Sequence, residues 1–242
     1  MDQPRSLTQP QDFVLDPWSR AMRYKPRSNE VCHMHPNPAF RQVPAEESLA
    51  FAKARGFGTL CLNGDAGPIM AHVPFVVTES GGLSALIHLA RSNAIARSAL
   101  PAPAVLAVMG PESYISPDWY GAVDQVPTWN YVAVHLRGRL EPLPDAALRP
   151  MADELSAMFE ARLAPKRPWT SAKMSDEAMV RMMRMILPFR LVIEGVEGTW
   201  KLGQNRTPEQ RAGAVAGLEG WEEPSPRREL ARLMRRVGDL GQ

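Results

Sequence analysis

Three short polar strings in this chain hold the residue types that could bind a ligand or assist a reaction. The first is His88-Leu89-Ala90-Arg91-Ser92-Asn93. A strand running into a helix there would set backbone N–H groups beside an arginine, a hydroxyl and an amide, a combination suited to a phosphate. A capped helix with a surface arginine explains the same string equally well. The second is Val126-Pro127-Thr128-Trp129-Asn130-Tyr131, which closes a stretch from Ser113 holding three of the four tyrosines and two of the six tryptophans. Trp129 offers an apolar wall and Asn130 an amide edge, which together suit a flat, partly polar ligand. The alternative is that Trp119, Tyr120 and Trp129 cover the open end of a core. The third is Trp200-Lys201-Leu202-Gly203-Gln204-Asn205-Arg206. Its two cations and two amides precede a helix start at Thr207, so it is either an anion cradle or a polar loop with a good cap. His72, inside an apolar strand, is a base, a ligand contact or a structural histidine.

Other chemistries find little support. The chain has no glycine-rich dinucleotide or Walker loop, no GxSxG and no HExxH. Nothing resembles a nucleophile–base–acid triad. Cys32, His33 and His35 lie close together, but no matching ligand cluster occurs elsewhere, so they read as incidental residues of a leader and not as a metal site.

The elements that must position these strings follow from periodicity. Val43 to Ala54 has a helical pattern, with Pro44 at its start, Glu46 and Glu47 in its first turn and Gly56 closing it. Strands follow over Phe57–Leu62, Ile69–Val77 and Leu83–Leu89, joined by short turns as an antiparallel meander. A short helix is expected over Arg91–Leu100, with Ser92 or Asn93 as its cap. A fourth strand spans Ala104–Met109 and enters the aromatic stretch, which reads as loop. Tyr131–Leu140 alternates, with Val132, Val134 and Leu136 on one face and His135, Arg137 and Arg139 on the other. Two helices are expected next, over Pro144–Leu163 and after Ser175. Met179, Met182, Met183 and Ile186 form a stripe on the second, which reads as a plastic core face before it reads as a cofactor lining. A strand over Phe189–Val196 is expected to end at Gly195 and Gly198. Thr207 with Gln210 forms a capping box for a helix to Leu218, and a basic helix spans Pro226–Val237. Six or seven strands with helices at the periphery make a mainly β fold, a small barrel.

Composition sets the outer bounds. The chain has 242 residues, is 45% hydrophobic and 22% charged, and carries a net charge of +2, so it has no overall nucleic-acid footprint. Two cysteines without CxxC spacing suit a reducing compartment. Residues 1–30 lack the apolar core of a secretory signal, and the apolar run Ala99–Gly110 is short and broken by prolines. The reading is cytoplasmic, with no membrane partner. Residues 1–33 are polar and proline-rich, a poorly ordered extension, and Met34 is an alternative start.

Taken together, the strings resemble the PaiB-like FMN-binding proteins, often called negative transcriptional regulators. The resemblance is carried by Met34-His35-Pro36, Ala71-His72-Val73-Pro74-Phe75, His88 to Asn93, Tyr114-Ile115-Ser116-Pro117 with Trp119-Tyr120, Val126 to Tyr131, and Trp200 to Arg206. It implies an antiparallel split β-barrel of the FMN-binding type over residues 34–219, with inserted helices at about 144–187 and a linker and basic helix at 220–242. It implies a homodimer with FMN at the subunit interface. Arg91, Ser92, Lys201 and Arg206 are then candidates for the phosphate, and His72, Trp129, Asn130, Gln204 and Asn205 for the ring and ribityl chain, with Asn93 beside the phosphate group. Gly203 stands where the family string is expected to have serine, which would weaken one phosphate contact. Two functions follow as expectations: a flavin-based redox or metabolite sensor in transcriptional control, or an FMN-dependent oxidoreductase moving electrons from NAD(P)H to a small acceptor. No helix-turn-helix is visible, so any DNA contact rests on the basic terminal helix alone.

Overall fold

The computed structural model describes residues 34–221 and 225–235. The expectations for residues 1–33, including Cys32 and His33, lie outside them. Six strands are present: β1 (Phe57–Gly64), β2 (Gly67–Thr78), β3 (Ser84–Ala90), β4 (Ala102–Ile115), β5 (Thr128–Pro142) and β6 (Ile186–Lys201). They close a barrel in the order β1-β2-β3-β6-β5-β4, with every neighbouring pair antiparallel. The mainly β, split-barrel expectation is correct.

The barrel forms because alternate residues of each strand are large and apolar. Leu60, Phe75, Ile87, Leu106, Leu136 and Leu191 come from six different strands and are fully buried in one core. Truncating Phe75 to alanine there would cost about 3–5 kcal/mol. Helix α1 (Ala45–Arg55) closes one end of the barrel. Its Ala52 is fully buried, its Phe51 meets Trp200 edge-on at 5.4 Å, and Trp200 Nε1 donates to Ser48 Oγ at 3.1 Å. Gly56, at φ 62°, ends that helix in the left-handed conformation glycine adopts without strain.

Helices α2 (Leu148–Glu160) and α3 (Asp176–Met183) pack outside the barrel. Their second core joins Leu148, Met151 and Leu155 to Val76 of β2, with Leu86 and Ile186 against it. Helix α4 (Pro208–Glu219) covers the turn at Pro117–Tyr120 through Ala214, Leu218 and Tyr120. Its capping box is as expected, with the Thr207 hydroxyl accepting from Gln210 N–H and the Gln210 side chain accepting from Thr207 N–H. Helix α5 (Pro226–Arg235) leaves Leu230, Leu233 and Met234 exposed. No described helix is long and apolar enough to cross a membrane.

Three expectations need correction. The helix over Arg91–Leu100 is only a 3-10 turn at Ile95–Arg97. Arg91 N–H bonds to the Met185 carbonyl, Asn93 N–H to the Ala90 carbonyl, and Asn93 Oδ1 accepts from Ile95 N–H. These local bonds compete with a helical ladder. The aromatic stretch is not all loop, because Ser113–Ile115 extend β4 and Thr128–Tyr131 open β5. Finally, β6 does not stop at Gly195 and Gly198. It gains an extra residue near Glu194, where the register against Arg137 and Gly138 shifts, and continues to Lys201.

Candidate functional site

The ten candidate residues do not converge within one chain. They divide between the two ends of β6 and one outer strand. At the far end of β6, Lys201 pairs in register with Tyr131, and Thr128, Trp129 and Asn130 extend β5 just beyond it. Lys201 Nζ donates to Thr128 Oγ1 and lies 5.9 Å from the centre of the Phe40 ring. The loop after Lys201 turns back on itself, with Arg206 N–H bonded to the Gly203 carbonyl. Gly203 has φ 78°, so a serine at this position would be strained; glycine here serves the turn. Gln204 is used by the loop, its Oε1 accepting from Leu202 N–H and its amide donating to the Trp200 carbonyl. Asn205 is exposed beside it.

Arg206 lies with its guanidinium 4.5 Å from the centre of the Tyr120 ring and donates to Gln125 Oε1. Arg211, from the first turns of α4, donates to the Arg206 carbonyl at 2.7 Å. Among the described residues no carboxylate pairs with Lys201, Arg206 or Arg211. Burial, and then the charge of Arg206, push the Lys201 ammonium below its ordinary pKa. Burial, and then Lys201, do the same to the His35 imidazole. Buried Arg41 Nε also lacks a partner. Cations pressed together without an acid form an anion site in waiting, because a phosphate would relieve the repulsion and accept their N–H bonds.

Next to these cations is a cavity of about 310 Å³, lined in part by Tyr120, Asn130, Leu202, Arg211 and Leu218. Trp129 stands 53% exposed, edge-on to Tyr114 at 6.4 Å. Asn130 and Arg211 bring an amide and a cation to this cavity, which suits a ligand carrying a phosphate, whereas Trp129, the preceding strand residue, presents its indole on the opposite face. Gln125 and Arg211 lie outside the three strings, and Thr128 lies inside one without a role of its own. No local pattern says that the loop before β5 and the first turns of α4 meet at the same strand end.

Arg91, Ser92 and Asn93 sit at the opposite end of β6. Ala90 faces Ile186, the first residue of that strand, whereas Lys201 is its last. A 16-residue strand spans roughly 50 Å of contour, so one small ligand does not reach both ends. Arg91 Nε donates to the Arg184 carbonyl at 3.1 Å, and no carboxylate pairs with Arg91 among the described residues. Asn93 spends its carbonyl oxygen on Ile95 N–H. Because the expected helix is absent, no helix N-terminus stands behind Ser92.

His72 is on the outer face of β2, in hydrogen-bond contact with Thr59 Oγ1 at 3.0 Å. The register runs His72–Thr59–Ala107–His135–Glu197 across five strands one way round the barrel, and the other way β3 alone lies between β2 and β6, so His72 is on a strand that does not pair with β6. The same outer face leaves Phe57, Met70 and Met109 more than half exposed. His135 Nδ1 is buried there without a partner, and burial, then Arg137, lower its pKa against the opposing pull of Glu197. Arg137 Nε lies 3.0 Å from Glu197 Oε2 as an ion pair whose geometry is too poor for a hydrogen bond. No cluster of metal-ligating side chains occurs among the described residues.

Comparison with known proteins agrees with this architecture. Residues 34–195 match the family model described as "Putative FMN-binding domain". The protease synthase and sporulation protein PAI 2 of Bacillus subtilis is 30% identical over 198 residues, which cover 81% of this chain and 93% of that protein. An uncharacterized protein of Emericella nidulans is 23% identical over 62% of this chain and 74% of its own length. Among solved structures, the FAD and heme binding protein from Mycobacterium smegmatis superposes with a TM-score of 0.50 at 20% identity, covering 75% of this chain and 81% of that one. At that identity the likeness is one of fold.

Proposed function

We propose, from the premise that this chain belongs to the PaiB-like family of FMN-binding domains, that it works as a homodimer with each FMN held between two copies. In this reading one copy supplies the turn at Arg91 and Ser92 with His72, and the other supplies Lys201, Arg206, Trp129 and Asn130. The observation that carries it is the separation of the two sets: acid-free cations stand at both ends of one strand, too far apart for one ligand within one chain. The exposed Phe57, Met70 and Met109 on the outer sheet face give a second copy an apolar surface to cover.

The bound flavin supplies the redox chemistry. The chain's own groups bind and orient it. The cations neutralise the phosphate, Asn130 offers an amide to the polar edge of the ring, and Trp129 shields a ring face. The role is regulatory: a cytoplasmic flavin-based sensor of redox state or of a metabolite, in the manner suggested by a relative named for protease synthesis and sporulation. Purified protein is expected to take up one FMN per chain and to sediment as a dimer. Full-affinity FMN binding by a monomer would overturn the shared site. NAD(P)H consumption that depends on FMN and persists across small acceptors would instead favour the oxidoreductase reading.

A further inference from the structure

Strands β5 and β6 are antiparallel neighbours that a short hairpin could join. Residues 143–185 intervene instead, and they build α2 and α3 over the outer face of β2 and β3. Between these helices and the sheet lies a cavity of about 460 Å³, distinct from the one beside Lys201. Its wall is thioether and aromatic, including Met174, Met179, Met183, Phe159 and Trp169. His88 of β3 also lines it; the His88 Nδ1 is shielded from solvent with no hydrogen-bond partner, which leaves Nε2 as the ring nitrogen a ligand could reach.

The charged groups at the rim are already matched. Asp153 pairs with Arg149 at 2.9 Å, and Glu160 pairs with Lys166 and accepts from Trp169 N–H at 2.7 Å. Neither carboxylate of the lining is left without a cation. Burial lowers the pKa of His88, so at neutral pH the imidazole is uncharged and has both a donor and an acceptor nitrogen. Methionine side chains adapt to flat, polarisable surfaces.

We propose that this cavity is a second small-molecule site, for a neutral planar aromatic compound whose single hydroxyl or N–H bonds to His88. The site needs neither FMN nor a second copy, so it stands whether or not the shared flavin site does.

Titration of the FMN-loaded full chain with 2-naphthol, followed by the ligand's fluorescence, tests it. Saturable binding of one naphthol per chain is expected, with FMN retained. Ala152→Trp, which fills the cavity from α2, should abolish binding. His88→Phe should weaken it about 3- to 10-fold, the worth of one net hydrogen bond, and His88→Gln should lose less than His88→Phe. Circular dichroism of each variant separates loss of the site from loss of the fold. No saturable binding to the wild type, undiminished binding to a folded Ala152→Trp chain, or release of FMN by naphthol would each overturn the proposal.

Discussion

The two ends of β6 carry opposite electrostatic designs. At the Lys201 end, Lys201 and Arg206 stand close with no carboxylate paired to either among the described residues, and burial first, then neighbouring positive charge, lowers the pKa of Lys201 and of His35. At the Ile186 end, the surrounding charges are mostly cancelled. Arg149 meets Asp153, Lys166 meets Glu160 and Arg190 meets Glu141, while the buried polar group is a neutral histidine in a methionine-lined cavity. Arg91, Arg181 and Arg184 are exceptions there, cations without a carboxylate partner among the described residues. One strand therefore separates a place that wants an anion from a place that wants a neutral ligand.

The largest effect should come from the crowded end. Replacing Lys201 and Arg206 together by glutamine should weaken FMN about 100-fold or more, since each charged hydrogen bond contributes about 1.5–3 kcal/mol. Equilibrium titration with flavin fluorescence checks this, and an unchanged affinity would break the contrast between the two ends. Arg91→Gln should weaken FMN about 10-fold on the same grounds. If it has no effect, that cation at the paired end is only a tie to the Arg184 carbonyl.

How much of this was legible beforehand depends on the range of the signal. The Thr207 capping box, the Gly56 stop and the alternation of Val132, Val134 and Leu136 are set by neighbours in sequence, and all three appear as expected. The turn at Arg91 was misread because Ser and Asn promise a helix cap but also bond locally, and here the Asn93 side chain takes the Ile95 N–H. The length of β6 was misread because glycines look like stops, whereas a bulge near Glu194 lets the strand bend and go on. The division of the candidates between two strand ends was invisible, since it depends on barrel closure. The same holds for Gln125, 81 residues from Arg206 in sequence, whereas Arg211 reaches the Arg206 carbonyl across only five residues.

Smaller effects sharpen the comparison. Thr207→Ala removes the cap that holds the Lys201 loop against α4 and should cost about 1 kcal/mol, a fall of about 2–4 °C in melting temperature. Its effect on FMN should exceed its effect on naphthol, because only the Lys201 end is loosened. Titration of His88 gives a pH test of the other end. Its folded pKa is lowered by burial, so the unfolded chain takes up the proton first. The resulting stability is present above about pH 6.5 and is lost as the pH falls through the folded value. His88→Phe should flatten that loss in thermal melts between pH 7 and pH 5. His135, lowered chiefly by burial too, should leave a residual slope in the variant.

The shared flavin site is tested most directly by mixing two defective chains. An Arg91→Gln chain and a Lys201→Gln/Arg206→Gln chain, each impaired in FMN binding, would be co-expressed with different tags and the heterodimer isolated. If each site takes its turn from one copy and its cations from the other, one site in the heterodimer is intact. The account predicts one site per heterodimer with wild-type affinity, about 10-fold tighter than any site in the Arg91→Gln parent and about 100-fold tighter than any in the other. A heterodimer that binds no better than its parents would contradict it.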